Sequence, residues 1–361
     1  MHFSKERNTR LLFGAVLAIL MLGLVLSACG GGGGSSTGGG TEASEETSET
    51  ENASSETAAN EPASNETASG GEYSIGIVQF SSSDEGSSLV LAGYEKEAKQ
   101  LGYEVTSIDP NGETDKAVAA IQTLVTKGVD MIVTAVFPSN ELAAGLIAAK
   151  NAGIPVVSVD GGLAEGVEVN WTGEQLAGSE LSKKMMEETG GKGYLLTLGY
   201  KLGTPCVERE EALDETIKGS ELETNETREE VPIPGQVAAG TQFAQAFLAK
   251  HPNSDEQLSI WACWDEPALG AITAVKQAKR SGVGIYGING QPAAVKAVQD
   301  GNMTATWWID LEGAGEEIAA HSAEAIEAGV EAEPKNVPVG GVLVDAENVE
   351  QFIKEHPGAA G

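Results

Sequence analysis

Basic side chains are scarce: 22 Lys and Arg stand against 54 Asp and Glu in 361 residues, a formal net charge of −32. Nucleic-acid binding neutralises phosphates with clustered Lys and Arg, so this composition excludes such a partner. Histidine and cysteine are scarcer still, at four and three residues, and form no cluster with metal-ligand spacing. No cofactor is called for. No Ser/His/Asp set or carboxylate pair stands out among the acidic residues, so nothing in the pattern argues for an enzyme. The one literal Gly-x-Gly-x-x-Gly, from Gly282 to Gly287, leads into a strand instead of turning from strand to helix, and cannot cradle a pyrophosphate. Long apolar runs are missing, with one exception from Leu11 to Val25.

That exception follows Lys5, Arg7 and Arg10 and closes on Leu26-Ser27-Ala28-Cys29. A basic start, a short apolar stretch and small residues at its end make a secretory signal rather than a spanning helix. Leu-Ser-Ala-Cys resembles the bacterial lipobox. That likeness implies that residues 1–28 are removed and that Cys29 carries lipid, holding the protein on the outer face of the cytoplasmic membrane. Residues 30 to 40 are all Gly, Ser and Thr, and residues 41 to 72 carry nine Glu with no Lys or Arg. Too few apolar side chains occur in 29–72 to offset the entropy of ordering, so the stretch is predicted to be a disordered tether. As a flexible coil it would span roughly 35–40 Å.

From Tyr73 the pattern becomes a regular alternation. Strands are predicted at Tyr73–Phe80, Tyr103–Asp109, Met131–Val136 and Pro155–Val159. Helices lie between them near Ser87–Leu101, Lys116–Lys127 and Leu142–Asn151. The rhythm breaks near Trp171 and restarts. Helices are then expected at Glu174–Thr189, Arg209–Lys218, Gln236–Lys250, Pro267–Arg280, Pro292–Gly301 and Leu311–Gly329. The strands of this second series are Gly193–Leu198, Thr224–Val231, Leu258–Cys263, Gly284–Ile288 and Met303–Trp308. Short apolar strands separated by amphipathic helices predict an α/β fold with parallel sheets covered on both faces. Two series of similar size predict two similar lobes.

Open parallel sheets bind ligands at the carboxyl ends of their strands. Those ends carry Phe80 with Asp84, Phe137, Asp160-Gly161, Tyr200, Trp264-Asp265, Asn289-Gly290 and Trp307-Trp308, with Trp171 at the break between lobes. Aromatic and polar side chains so placed describe a small-molecule cleft with flat apolar walls and a few orienting hydrogen bonds.

The stretches LAGYEKEAKQLGY, VDMIVTAVFPSNELAAGLIAAKNAGIPVVSVDG, WDEPALGAITAVKQA and IYGINGQPAAVKAVQDGNMTATW, with the opening strand, run in the order of a known family. Over residues 73 to 345 the chain resembles the type I periplasmic binding proteins of the ribose-binding group, the substrate receptors of sugar ABC importers. The resemblance implies two Rossmann-like lobes joined by a three-segment hinge that closes on ligand. Residues 73–171 plus 310–341 would form the N-terminal lobe, and 172–309 plus 342–361 the C-terminal lobe. It implies a monomer that meets ABC permease and ATPase subunits. Asp160 matches the family's aspartate that accepts from sugar hydroxyls. Asp84 takes the polar position after the first strand, and Asn289 stands where aspartate is usual. By the family pattern the neighbours of Cys206 and Cys263 line one ligand, so the two cysteines are candidates for a disulfide in an oxidising compartment.

The departures from that pattern bear on the ligand. Gly161 replaces an arginine, Gly86 and Ser87 replace the stacking aromatic pair, and Trp264 replaces an asparagine. Val207 falls where a second arginine is expected; Arg209, two residues on, suits a structural role, and whether it reaches the ligand stays open. The expected ligand is a small neutral sugar or polyol. An aromatic or amine ligand is the competing class, because indoles beside carboxylates also suit cations. A receptor feeding a chemoreceptor or kinase, a secreted α/β enzyme and the related core of lactose-repressor-type regulators are the alternative roles.

Overall fold

The computed structural model describes residues 73–224 and 228–361. The signal segment, Cys29 and the tether lie outside the described residues. The first sheet is built from β1 (Ser74–Val78), β2 (Glu104–Ile108), β3 (Met131–Ala135), β4 (Val156–Val159) and β5 (Val169–Thr172), with helices α1 (Glu85–Leu101), α2 (Thr114–Lys127) and α3 (Ala143–Asn151) between strands. β1, β3 and β4 are nearly continuous runs of buried residues. Such strands are apolar on both faces because helices cover both, as parallel crossovers require. Each helix needs a stop, and Gly102 and Gly128 supply it in left-handed backbone after α1 and α2.

The chain then enters a second sheet through α4 (Glu174–Thr189), β6 (Lys192–Gly199), α5 (Thr204–Ile217), β7 (Glu221–Thr224), β8 (Glu229–Glu230), α6 (Gln236–Lys250), β9 (Leu258–Ala262), α7 (Asp265–Gln277), β10 (Val283–Asn289), α8 (Pro292–Gln299) and β11 (Ala305–Trp308). It returns to the first lobe as α9 (Leu311–Ala320), α10 (Ser322–Ala328) and β12 (Lys335–Pro338), and ends in the second as β13 (Val342–Asp345) and α11 (Val349–Glu355). The sheet orders are β12-β5-β4-β3-β1-β2 and β13-β11-β10-β9-β6-β7, with β8 beside β6. All pairings are parallel except β11 with β13. The chain therefore passes between the sheets after β5, after β11 and after β12, the arrangement of the type I two-lobed fold.

The structure differs from the sequence pattern in identifiable places. The single strand expected over Thr224–Val231 is two short ones, β7 and β8, on the same side of β6, and residues 225–227 between them lie outside the description. The helix expected over Leu311–Gly329 breaks at His321, where α10 begins anew. β5, β12 and β13 carry too few alternating residues to show in the sequence, and pairing with the sheet edges holds them. α5 begins at Thr204 rather than Arg209, with Pro205 in its first turn, where the missing N–H costs nothing.

Candidate functional site

The carboxyl ends of both sheets face each other across a cavity of about 80 Å³. The first lobe contributes Phe80, Asp84 and Gly86–Ser87 from the β1–α1 turn, Val136 after β3 and Asp160 after β4. The second contributes Tyr200 after β6, Cys206 and Arg209 on α5, Trp264 after β9 and Asn289 at the end of β10. Val136, Asp160 and Asn289 hold φ values of 67°, 59° and 116°, in the left-handed region. A β-branched valine there is a genuine outlier. Strained backbone of this kind gathers where function over-determines it, and here it sits on three walls of one cavity.

Contacts between the lobes close the cavity. Phe80 meets Tyr200 edge-on, with ring centroids 5.8 Å apart, and Tyr200 meets Trp264 in the same way at 6.2 Å. The Thr204 N–H donates to the Val136 carbonyl at 3.1 Å. Phe80, Tyr200 and Trp264 thus form an aromatic wall that crosses from one lobe to the other, while Val90, Ile233 and Leu311 add aliphatic surface.

Polar groups converge at the other end. Arg209 is 4% exposed. Its Nε donates to Glu174, its Nη1 to the Cys263 carbonyl at 2.6 Å and its Nη2 to Asn289 Oδ1 at 3.1 Å. Asn289 then points its Nδ2 toward Gly86, where a Cβ would lie only 2.9 Å from it. Asp84 caps α1 by accepting from the Ser87 N–H at 2.8 Å. Asp160 has one carboxyl oxygen, Oδ1, buried without a protein partner. Burial, then the neighbouring Glu174 carboxyl, push its pKa well above the usual carboxylate range, and the Arg209 guanidinium opposes them.

The remaining residues singled out from the sequence fall outside the lining. Phe137 lies behind Phe80, ring centroids 4.8 Å apart, and supports that wall from within. Asp265 is fully buried. It accepts from the Gln291 N–H and the Thr306 hydroxyl, both at 2.8 Å, and so ties α7 to the turn before α8 and to β11. Burial raises its pKa to about 7. Trp171 turns its indole away from the cleft, edge-on to His321 at 5.7 Å, because its place on β5 points it under α9 and α10. Trp307 packs against Gly341 in the last crossing, where a Cβ would come within 2.2 Å of its Nε1. Trp308 stacks with His356 and Phe352 of the C-terminal segment, at 4.5 and 5.2 Å. Cys206 and Cys263 are bridged, with Cα atoms 5.2 Å apart.

Arg209, which the sequence leaves open between a structural role and the ligand, lines the cavity. α5 starts earlier than expected, so position 209 lies on the helix face turned to the cleft. Gly161 confirms the other missing cation in a different way. A Cβ there would lie 2.5 Å from both the Phe137 carbonyl and Ser158 Oγ, so no side chain fits. Among the described residues no cluster could hold a metal ion, and no helix is long and apolar enough to cross a membrane.

The sequence pattern of the periplasmic binding protein domain family matches residues 75–331. The ribose import binding protein of Escherichia coli is 29% identical over 221 residues, covering 59% of this chain and 71% of its own length. The xylitol-binding protein of Mycolicibacterium smegmatis is 26% identical over 227 residues, 59% of this chain and 61% of its own length. Among solved structures, an ABC transporter solute binding protein from Agrobacterium vitis with bound allitol superposes with a TM-score of 0.73 at 25% identity, covering 79% of this chain and 99% of that one. One from Mycobacterium smegmatis with bound glycerol gives 0.70 at 25% identity, covering 78% and 97%.

Proposed function

The chain belongs to the periplasmic binding protein family, and from that premise we propose that it captures a small neutral sugar or polyol between its lobes and hands it to an ABC permease. One observation carries the ligand class. Donors and acceptors converge at one end of the cavity in near balance: Asp160 with its free Oδ1, the guanidinium of Arg209, Asn289 Nδ2 and the Asp84 carboxyl. A hydroxyl both donates and accepts, so a row of hydroxyls satisfies such a mixed set, while the indole and phenyl wall takes the C–H faces. The related proteins with bound allitol and glycerol support the same class.

Arg209 now supplies the cation that the sequence analysis found missing, but Glu174 already neutralises it. An acidic sugar or phosphate would therefore compete with a buried ion pair. Delivery to a permease is the role in keeping with the family, and attachment through Cys29 would keep the protein where a permease operates. The chain makes and breaks no bond in this scheme.

Calorimetry across pentoses, hexoses, polyols, nucleosides and quaternary amines tests the ligand. Saturable binding of a sugar or polyol well below about 1 mM, a free energy of roughly −4 kcal/mol or better, is the expected result. If only a quaternary amine binds in that range, the carboxyls and Trp264 form a cation cage and the sugar assignment falls.

A further inference from the structure

Behind the Trp264 wall lies a buried polar cluster that the ligand does not reach. Trp264 Nε1 donates to one oxygen of Glu266 at 3.1 Å, and Gln236 Nε2 donates to the other at 2.7 Å. The same Gln236 nitrogen donates to the Ser83 carbonyl in the first lobe. Glu266 also accepts from the Glu85 N–H of the first lobe. Gln236, Glu266 and Trp264 are 5%, 8% and 3% exposed. Every link from this cluster to Ser83 and Glu85 crosses the cleft and exists only while the lobes are together. Gly86 serves the same end, because a side chain there would meet the Asn289 amide coming from the opposite lobe.

We propose that Gln236 and Glu266 are positioning residues that turn the Trp264 indole into the cavity on closure, by locking it against Ser83 and Glu85 of the first lobe. The proposal rests on the ligand site described above for its purpose, though not for its geometry. When the lobes part, Gln236 loses the Ser83 carbonyl, Glu266 loses the Glu85 N–H, and the indole N–H is held by a hydrated carboxylate alone. Affinity for the ligand then depends on the latch as well as on the cavity walls. The usual aromatic pair of the first lobe is absent at Gly86 and Ser87, so the wall of Phe80, Tyr200 and Trp264 carries the stacking and the orientation of its one indole matters more.

The latch has a titratable centre. Burial first, and then the Asp84 carboxylate, push Glu266 up to about 7. Asp84 and Glu85 face it from the first lobe. Gln236 on α6 and Gln291 before α8 are neutral, and Asp265 on its own helix is committed to Gln291 N–H and Thr306. Opening hydrates Glu266 and withdraws Asp84, returning its pKa toward the ordinary value of about 4.3. The closed form therefore holds a proton that the open form lacks between those values. Closure is fully favoured below the ordinary carboxylate pKa, weakens as pH rises toward 7 and changes no further above it.

The test uses the full-length chain, with allitol as the probe and acrylamide quenching of Trp264 as the second readout, taken as wild type minus Trp264→Phe. In the wild type, Trp264 should be better shielded at about pH 5.5 than at about pH 8. Allitol affinity should fall with rising pH by up to about tenfold per unit before levelling. Glu266→Gln keeps the shape and one of the two accepting oxygens but cannot ionise, so it should flatten the pH profile of Trp264 shielding. Gln236→Ala should expose Trp264 at both pH values. The proposal is overturned if Glu266→Gln keeps the wild-type pH slope in quenching, or if Gln236→Ala leaves the quenching unchanged. If no sugar or polyol binds while the quenching behaves as described, the latch stands and the ligand assignment alone fails.

Discussion

At the scale of single residues the site separates into groups that line the cavity and groups that hold those in place. Asp160 belongs to the first kind. It sits in left-handed backbone, buried against Glu174, with Oδ1 turned to no protein atom. An amide keeps the shape of that side chain and one accepting oxygen without its charge. Asp160→Asn should keep most of the affinity for a polyol, whereas Asp160→Ala should weaken it by roughly 1–2 kcal/mol, the net worth of a buried hydrogen bond or two. Calorimetry of both variants checks this, and equal losses would mean that the negative charge is what the ligand needs. Trp264→Ala should also weaken binding, by lost apolar contact, and the loss should appear as a smaller heat-capacity change. Asp160, Asn289, Asp84, Phe80 and Trp264 were legible as strand-end residues because the end of a parallel strand is easy to find in a sequence. Trp171, Trp307 and Trp308 also sit at strand ends, yet their indoles turn toward α9 and α10, the last crossing and the C-terminal segment. Strand position locates a Cα, and sheet face decides where the side chain goes. Glu174 and Glu266 gave no signal, since acidic residues are common in this chain and their burial is a property of the closed cleft.

The elements were legible where apolar residues recur and illegible where pairing alone makes the structure. β1, β3, β4, β9 and β10 are apolar on both faces and stand out, as do the helices between them. β12 is largely exposed, and only its register with β5, Val337 opposite Trp171, makes it a strand. The disulfide shows a second kind of element-level constraint. Cys206 lies in the first turn of α5 and Cys263 follows β9, so the bridge pins the start of the helix that carries Arg209 to the strand whose end carries Trp264. Arg209 reinforces the same junction through the Cys263 carbonyl. Closing a loop of 57 residues restricts the unfolded chain, so a Cys206→Ser and Cys263→Ser double variant should lose about 2–4 kcal/mol of stability. Denaturant melts with and without reductant check this: the wild type should shift on reduction and the double variant should not. A wild type indifferent to reductant would show that the bridge contributes nothing to folding.

The whole molecule joins a closed two-lobed receptor to a chain of a different physical character. The receptor's sheets, helices and crossings are specified by apolar pattern and packing, whereas residues 29–72 are rich in Gly, Ser, Thr and Glu and lie outside the described residues. With lipid on Cys29, a coil of this length would let the receptor range roughly 35–40 Å from the membrane surface, enough to collect ligand freely and still meet a membrane-embedded permease. A single short acyl chain would give only marginal binding, and stable anchoring takes more than one. Cys29→Ser removes the attachment point without touching the lobes. The variant should therefore appear in the soluble fraction, or accumulate uncleaved, with allitol binding unchanged from the detergent-solubilised wild type. Fractionation with immunoblotting, followed by calorimetry on the released protein, measures both halves. A processed Cys29→Ser protein that stays with the membrane would mean that the attachment is by something other than lipid on Cys29.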